Sequence, residues 1–163
     1  MGADFDKYLF VTRHAHRDVT DRLLDNGLSE KGRLQAKALG NYLSKVLRDQ
    51  TDLKIESSPR LRCQETLQPL CKELRVDAKT NPLLDEKGGG ESQSQLDLRI
   101  LKFIDHWKSG GPRYLVICSH GDWIPDFARL LLQKDQDLNK GGMMEITLTK
   151  GKALLFDLRQ SFL

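Results

Sequence analysis

The 163-residue chain carries 26 basic and 23 acidic side chains, so its net charge at pH 7 is only +3. With 39% hydrophobic and 30% charged residues, the composition predicts a folded globular chain and excludes a disordered one. The mild, scattered charge argues against nucleic-acid binding, and no apolar run reaches membrane-spanning length. We therefore predict a single domain over residues 1–163.

The cysteine content and the start of the chain bear on the compartment. Cys63, Cys71 and Cys118 have no metal-ligand spacing, and their odd number argues against a disulfide framework. They are predicted to be reduced thiols, as expected in a reducing compartment. No basic segment followed by a long apolar stretch opens the chain, so no signal peptide is predicted. These features predict a cytoplasmic protein.

Strand-like and helix-like segments alternate along the chain. The apolar run at 8–12 predicts a buried strand, and Ser29 suits the N-cap of the helix that follows. The buried face of this helix is predicted from Leu34, Ala38, Leu39, Tyr42, Leu43 and Val46. Later elements are strands at 53–57 and 114–119, helices after Pro59, at 96–107 and at 124–132, an ambiguous segment at 76–84, and a hairpin of 144–149 with 153–158. This alternation predicts an α/β fold with a mostly parallel sheet.

Polar side chains follow three of the predicted strands. His14 follows the first strand, Ser58 the second, and His120 the strand at 114–119, with Arg13 and Arg62 nearby in sequence. In open α/β sheets, ligands bind beyond the carboxyl ends of the strands. Guanidinium groups match phosphate oxygens and stay charged at any working pH. A histidine among arginines at this edge therefore suits a phosphate group.

Four segments carry a specific resemblance to a known family. Arg13-His14-Ala15 resembles the Arg-His-Gly signature of the histidine phosphatase (phosphoglycerate mutase-like) superfamily, with alanine where glycine is common. Residues 27–36, 58–66 and 119–121 are similar to its first-helix, serine-proline and second-histidine segments. The four segments occur in the family's order and span most of the chain. Together they are far more specific than any one of them alone.

The resemblance implies a three-layer α/β/α fold with a mostly parallel central sheet, close to the family's minimal core. It implies that His14 is the nucleophile that accepts the phosphoryl group. Arg13, Arg62 and His120 would hold the phosphoryl oxygens, and no metal or other cofactor is implied. The chemistry agrees, because phosphoryl transfer needs an in-line nucleophile and positive charge around the equatorial oxygens.

The general acid that protonates the leaving oxygen is less clear from the sequence. Glu86 occupies a place similar to that of the glutamate in mutase-like relatives, and it is the first choice. Asp85 is its neighbour, and Asp122 is a third candidate. Acid-phosphatase relatives carry an aspartate directly after the second histidine, whereas here a glycine intervenes. The predicted substrate-binding residues are Arg17, Ser58, Gly121 and Asp122.

The short chain favours a phosphatase over a mutase, because mutases of this superfamily have inserted segments that cap the pocket. It resembles the small SixA-like phosphohistidine phosphatases, and the expected substrate is a phosphorylated small molecule or a phosphoprotein. Two alternatives stay open at this point. One is a phosphoglycerate mutase-like phosphoryl transferase, and the other is a catalytically silent phosphate-binding module of the same fold.

Overall fold

The computed structural model describes residues 6–163, whose elements alternate as predicted. The strands are β1 (Lys7–Arg13), β2 (Leu53–Ser57), β3 (Ala78–Thr80), β4 (Tyr114–Ser119), β5 (Met143–Thr149) and β6 (Lys152–Arg159). The helices are α1 (Glu30–Leu47), α2 (Leu61–Leu74), α3 (Gln93–Ser109) and α4 (Ile124–Leu132), with a 3₁₀ turn at Pro82–Leu84. Within these residues, no helix is both long enough and apolar enough to cross a membrane.

All six strands belong to one sheet in the order β3-β2-β4-β1-β5-β6. β1, β2, β3 and β4 run parallel, whereas β5 is antiparallel to β1 and pairs with β6 as a hairpin. The hairpin turns at Lys150 and Gly151, which both have positive φ, a pairing typical of tight two-residue turns. The mostly parallel sheet predicted from the alternating elements is confirmed.

Helices cover both faces of the sheet. The side chains of β1 and β4 alternate between the two faces and therefore pack in two separate cores. Phe10 and Val116 point to the α1 and α2 side, where they pack with residues such as Leu43. Leu9 and Ile117 point to the α3 and α4 side. Burial on both faces explains why these central strands are almost continuously apolar. The three-layer α/β/α architecture is confirmed.

The predicted buried face of α1 is partly wrong. Leu34 and Val46 are 60% and 41% exposed. The helix instead turns a face rich in small residues inward, made of Gly32, Ala36, Leu39, Gly40, Leu43, Ser44 and Leu47. At Gly40, a Cβ atom would lie 3.1 Å from both the Leu70 nitrogen and the Pro69 Cβ. Close packing against α2 therefore selects glycine and alanine where apolar periodicity favours leucine.

Candidate active site

Three strands end at the same level of the sheet, which brings the sequence-predicted residues together. Arg13 pairs with Ser119, and Ser57 pairs with Cys118. The ladder continues one residue further, because the His14 amide donates to the Ser119 carbonyl at 3.1 Å. His14 and His120 consequently stand side by side, with ring centroids 5.4 Å apart.

The hydrogen bonds of His14 define its tautomer. The side chain is buried, and its Nδ1 atom lies 2.8 Å from the carbonyl oxygen of Ala15. A carbonyl oxygen can only accept, so Nδ1 carries the proton and donates it. In the neutral ring, Nε2 therefore keeps its lone pair.

The surroundings of His14 hold the ring neutral. Burial is the main reason that the pKa of His14 is lowered to about 4. The positive charges of Arg62, Arg13 and Lys140 act in the same direction, against the opposing effect of the backbone hydrogen bond. At neutral pH the ring is thus an uncharged imidazole with cationic side chains around it.

His120 is fixed by hydrogen bonds to two side chains. Its Nδ1 lies 3.3 Å from a terminal nitrogen of Arg62, which can only donate, so Nδ1 accepts and Nε2 carries the proton. Nε2 donates in turn to Ser58 Oγ at 2.7 Å. Burial is the main cause that lowers the pKa of His120 to about 2, followed by the charge of Arg62. The Ser58 hydroxyl proton is then available to a ligand.

Two arginines present unsatisfied donors beside these histidines. The Nε atoms of Arg13 and Arg62 are buried and have no hydrogen-bond partner among the described residues. Arg13 is held by a 2.9 Å bond from Nη1 to the Leu138 carbonyl. It also needs glycine at position 121, since a Cβ atom there would lie 2.7 Å from the Arg13 guanidinium. Buried donors without partners commonly mark a site for an anion.

The three candidate acids lie on one side of the site. Glu86 pairs with Arg62 at 2.5 Å and with Arg60 at 3.4 Å. Asp85 also pairs with Arg60, at 3.0 Å, and accepts the backbone N–H of Glu86. Asp122 accepts the Lys87 amide at 3.1 Å. Partial burial, with a smaller effect of Glu86, raises the pKa of the Asp122 carboxyl.

Two further basic residues lie around the site. A terminal nitrogen of Arg17 donates to the backbone carbonyls of Arg22 and Leu24, whereas its buried Nε has no partner among the described residues, so its predicted role in substrate binding stays a prediction. Lys140, which the sequence reasoning missed, lies close enough to His14 to lower its pKa. Its only sequence signal is a place beside glycine just before a strand, which many surface lysines share.

The remaining reactive groups do not compete with His14. Cys63 Sγ lies 3.6 Å from the His120 ring, but burial raises the pKa of this thiol well above its usual value. Within residues 6–163, no group of three or more histidine, cysteine, aspartate or glutamate side chains is arranged to hold a metal ion. The arrangement is a neutral imidazole among guanidinium donors, with carboxylates at its rim.

Comparison with known proteins identifies the family of this chain. Residues 9–90, about half of the chain, match the family model described as the histidine phosphatase superfamily (branch 1).

Several solved structures share the fold. A candidate alpha-ribazole-5'-P phosphatase from Escherichia coli str. K-12 gives a TM-score of 0.80 at 17% identity, covering 94% of this chain and 96% of that chain. Mycobacterial glucosyl-3-phosphoglycerate phosphatase in complex with VO3 gives a TM-score of 0.75 at 20% identity, and the match covers 95% of this chain and 100% of that chain. A phosphoglycerate mutase from Bacillus anthracis str. Sterne gives a TM-score of 0.76 at 18% identity, and the match covers 98% of this chain and 95% of that chain. At these identities the likeness establishes the fold alone.

Proposed function

The chain belongs to the histidine phosphatase superfamily, and we propose that it is a metal-independent phosphatase that works through a phosphohistidine on His14. The expected substrate is a phosphomonoester or a phosphohistidine. One observation carries the proposal: the buried, neutral His14 keeps the Nε2 lone pair free beside two arginines whose buried Nε donors lack partners. A phosphoryl group would supply the missing acceptors.

In the first step, Nε2 of His14 attacks phosphorus and the bond from phosphorus to the leaving oxygen breaks. Arg13, Arg62 and the Ser58 hydroxyl are placed to donate to the phosphoryl oxygens. The positive charge and N–H groups of the two arginines stabilise the negative charge that is spread over the phosphoryl oxygens in the transition state. His120 positions Ser58 and Arg62, to which it is hydrogen-bonded.

The leaving oxygen takes a proton from a carboxylic acid, for which we propose Glu86. Glu86 is joined directly to Arg62, so a phosphoryl group held by Arg62 lies within reach of this carboxyl group. In the second step, water attacks the phosphohistidine, the P–N bond breaks, and Glu86 accepts the proton of the water. Inorganic phosphate is released, and neutral His14 is regenerated.

The first experiment is to quench the protein in alkali during turnover of an aryl phosphate and to locate the phosphorylated residue by mass spectrometry. Phosphate release should proceed with a chelator present, and the phosphoryl group should be found on His14. His14→Ala should release no phosphate and trap no phosphohistidine. His106→Ala, which removes an exposed histidine from α3, is the matched control and should behave as the wild type.

The other outcomes separate the alternatives. A phosphohistidine whose phosphoryl group passes to an added alcohol or glycerate, rather than to water, would identify a transferase. Aryl phosphates and phosphohistidine peptides that bind the wild type without forming any phosphohistidine would identify a phosphate-binding module and overturn the proposal.

A further inference from the structure

A basic pocket lies next to His14, and apart from Arg13 its residues have no part in the chemistry described so far. Its lining includes Arg13, His16, Lys31, Gln35, Asn139 and Lys140. Arg13 belongs both to this pocket and to the phosphate site. The two sites are therefore adjacent, with the Arg13 side chain common to both.

The position of Lys140 is fixed by backbone contacts to the catalytic loop. The Gly141 amide donates to the carbonyl oxygens of Arg13, at 3.2 Å, and of His14, at 3.3 Å. Gln35, on α1, accepts from the His16 amide at 2.8 Å and donates to the Lys140 carbonyl at 3.4 Å. Two independent anchors thus hold the loop before β5 against the loop after β1. The backbone at Lys140 is therefore held beside the loop that carries His14.

The carboxylates of Asp137 and Asp122 act on the charge of Arg13, but within residues 6–163 the lysine charges of this pocket have no such partner. Neither Lys140 nor Lys31 forms an ion pair with any carboxylate in the part of the chain that the structure describes. Partial burial lowers the pKa of Lys140, and the charges of Arg13, Arg22, Arg17 and Lys31 add to that effect. Like charges held together are destabilising unless an anion joins them.

The charge distribution also gives the site a direction. The carboxylates of Asp85, Glu86 and Asp122 gather around Arg60, Arg62 and the Lys87 amide. A second anionic group on a substrate would be repelled from that rim and attracted to the side of Lys140 and Lys31.

We propose that the natural substrate carries a second anionic group, a carboxylate or another phosphate, which binds to Lys140 and Lys31 while the scissile phosphate lies at His14. The proposal rests on the proposed function for the identity of the scissile group. With such a site, the protein would prefer phosphomonoesters that carry a second negative group over phosphorylated compounds that are otherwise neutral.

Matched substrates test this assignment. 4-Carboxyphenyl phosphate and 1,4-phenylene bisphosphate carry the second anion as carboxylate and as phosphate, and 4-carbamoylphenyl phosphate is the neutral counterpart. The wild type should prefer the anionic compounds in kcat/KM. Lys140→Gln and Lys31→Gln should each lower that preference about tenfold, the size of one charge-assisted contact. Lys102→Gln, which removes an exposed charge from α3, should leave it unchanged.

The proposal is overturned if the preference survives both pocket substitutions, or if the anionic and neutral compounds lose activity equally. Calorimetric affinities of the same compounds for His14→Ala, with and without Lys140→Gln, measure the pocket without turnover. A preference lost in the double variant would support the pocket even if the wild type released no phosphate. Equal affinities of His14→Ala for all three compounds would overturn the proposal that this pocket binds an anion. Loss of the carboxylate preference alone, or of the phosphate preference alone, would show which anion the pocket takes.

Discussion

At the scale of single residues, the proposal that Glu86 protonates the leaving group can be tested by substitution. Glu86→Gln should lower kcat/KM for an alkyl phosphate about a hundredfold, because general acids contribute in that range when the leaving group is poor. For 4-nitrophenyl phosphate, whose leaving group needs little protonation, the loss should be small. Steady-state kinetics on the two substrates measures the difference.

Asp122→Asn is the matched comparison, since it too replaces a rim carboxylate by its amide. Its effect should be smaller and should not depend on the leaving group. If Asp122→Asn shows the large, leaving-group-dependent loss instead, then Asp122, whose pKa is raised by burial, is the acid, and the assignment of Glu86 is wrong.

The sequence could indicate His14, His120 and Arg62 because each lies at a fixed short distance from a strand end. The same reasoning could not find Lys140, whose nearness to His14 depends on pairing between β1 and β5 and on the Gln35 anchor. These contacts join residues over a hundred positions apart in the chain. No local pattern encodes them.

At the scale of elements, α3 holds the loop that carries the proposed acid. Arg99 donates to the backbone carbonyls of Leu83 at 3.0 Å, Asp85 at 2.8 Å and Glu86 at 3.2 Å. It also pairs with the carboxylate of Glu91, at 2.9 Å. One guanidinium therefore fixes both ends of the segment around Glu86.

Arg99→Ala should free this segment and lower kcat/KM for alkyl phosphates by about tenfold or more, since small displacements of catalytic groups carry large costs. Activity on 4-nitrophenyl phosphate should fall less. Arg129→Ala, which removes a more exposed arginine paired with Asp97, is the control. Equal losses on both substrates in Arg99→Ala would point to general destabilisation and contradict a positioning role.

The sequence predicted most elements, and it failed where tertiary contacts override local preference. β3 has only three residues and lies at the sheet edge, so residues 76–84 remained ambiguous. The inward face of α1 follows the close approach of α2 at Gly40, which apolar periodicity does not register. Strands β1 and β4 were clear because burial on both faces makes them continuously apolar.

At the scale of the whole molecule, the two buried histidines couple folding to pH. Their pKa values in the folded protein are about 4 for His14 and about 2 for His120, against 6.5 for an unperturbed histidine. Below pH 6.5 these two histidines therefore bind more protons in the unfolded chain than in the folded protein. Their contribution to the free energy of unfolding is complete above that pH and should fall, as the solution is acidified to pH 5, by roughly 1 kcal/mol per pH unit for each histidine.

Urea unfolding between pH 7 and pH 5 measures this loss. His14→Asn should make the profile less steep, because the variant has one fewer histidine that must stay neutral. His106→Asn, at an exposed position, should leave the slope as in the wild type. A wild-type profile that is flat over this range would mean that the histidines are accessible to protons in the folded state.

The antiparallel direction of β5 has a consequence for how this scaffold diversifies. Because β5 runs against β1, its first residues, and not its last, lie at the sheet edge that carries His14, Ser58 and His120, and the loop at 133–142 enters there. The backbone of that loop contacts Arg13 and His14 through the Leu138 carbonyl and the Gly141 amide, so its side chains can change while these contacts are kept. Selection can therefore change the substrate preference through the side chains of this loop while the residues proposed for phosphoryl transfer stay the same. One ancestral protein with this fold can in this way give rise to descendants that act on different substrates.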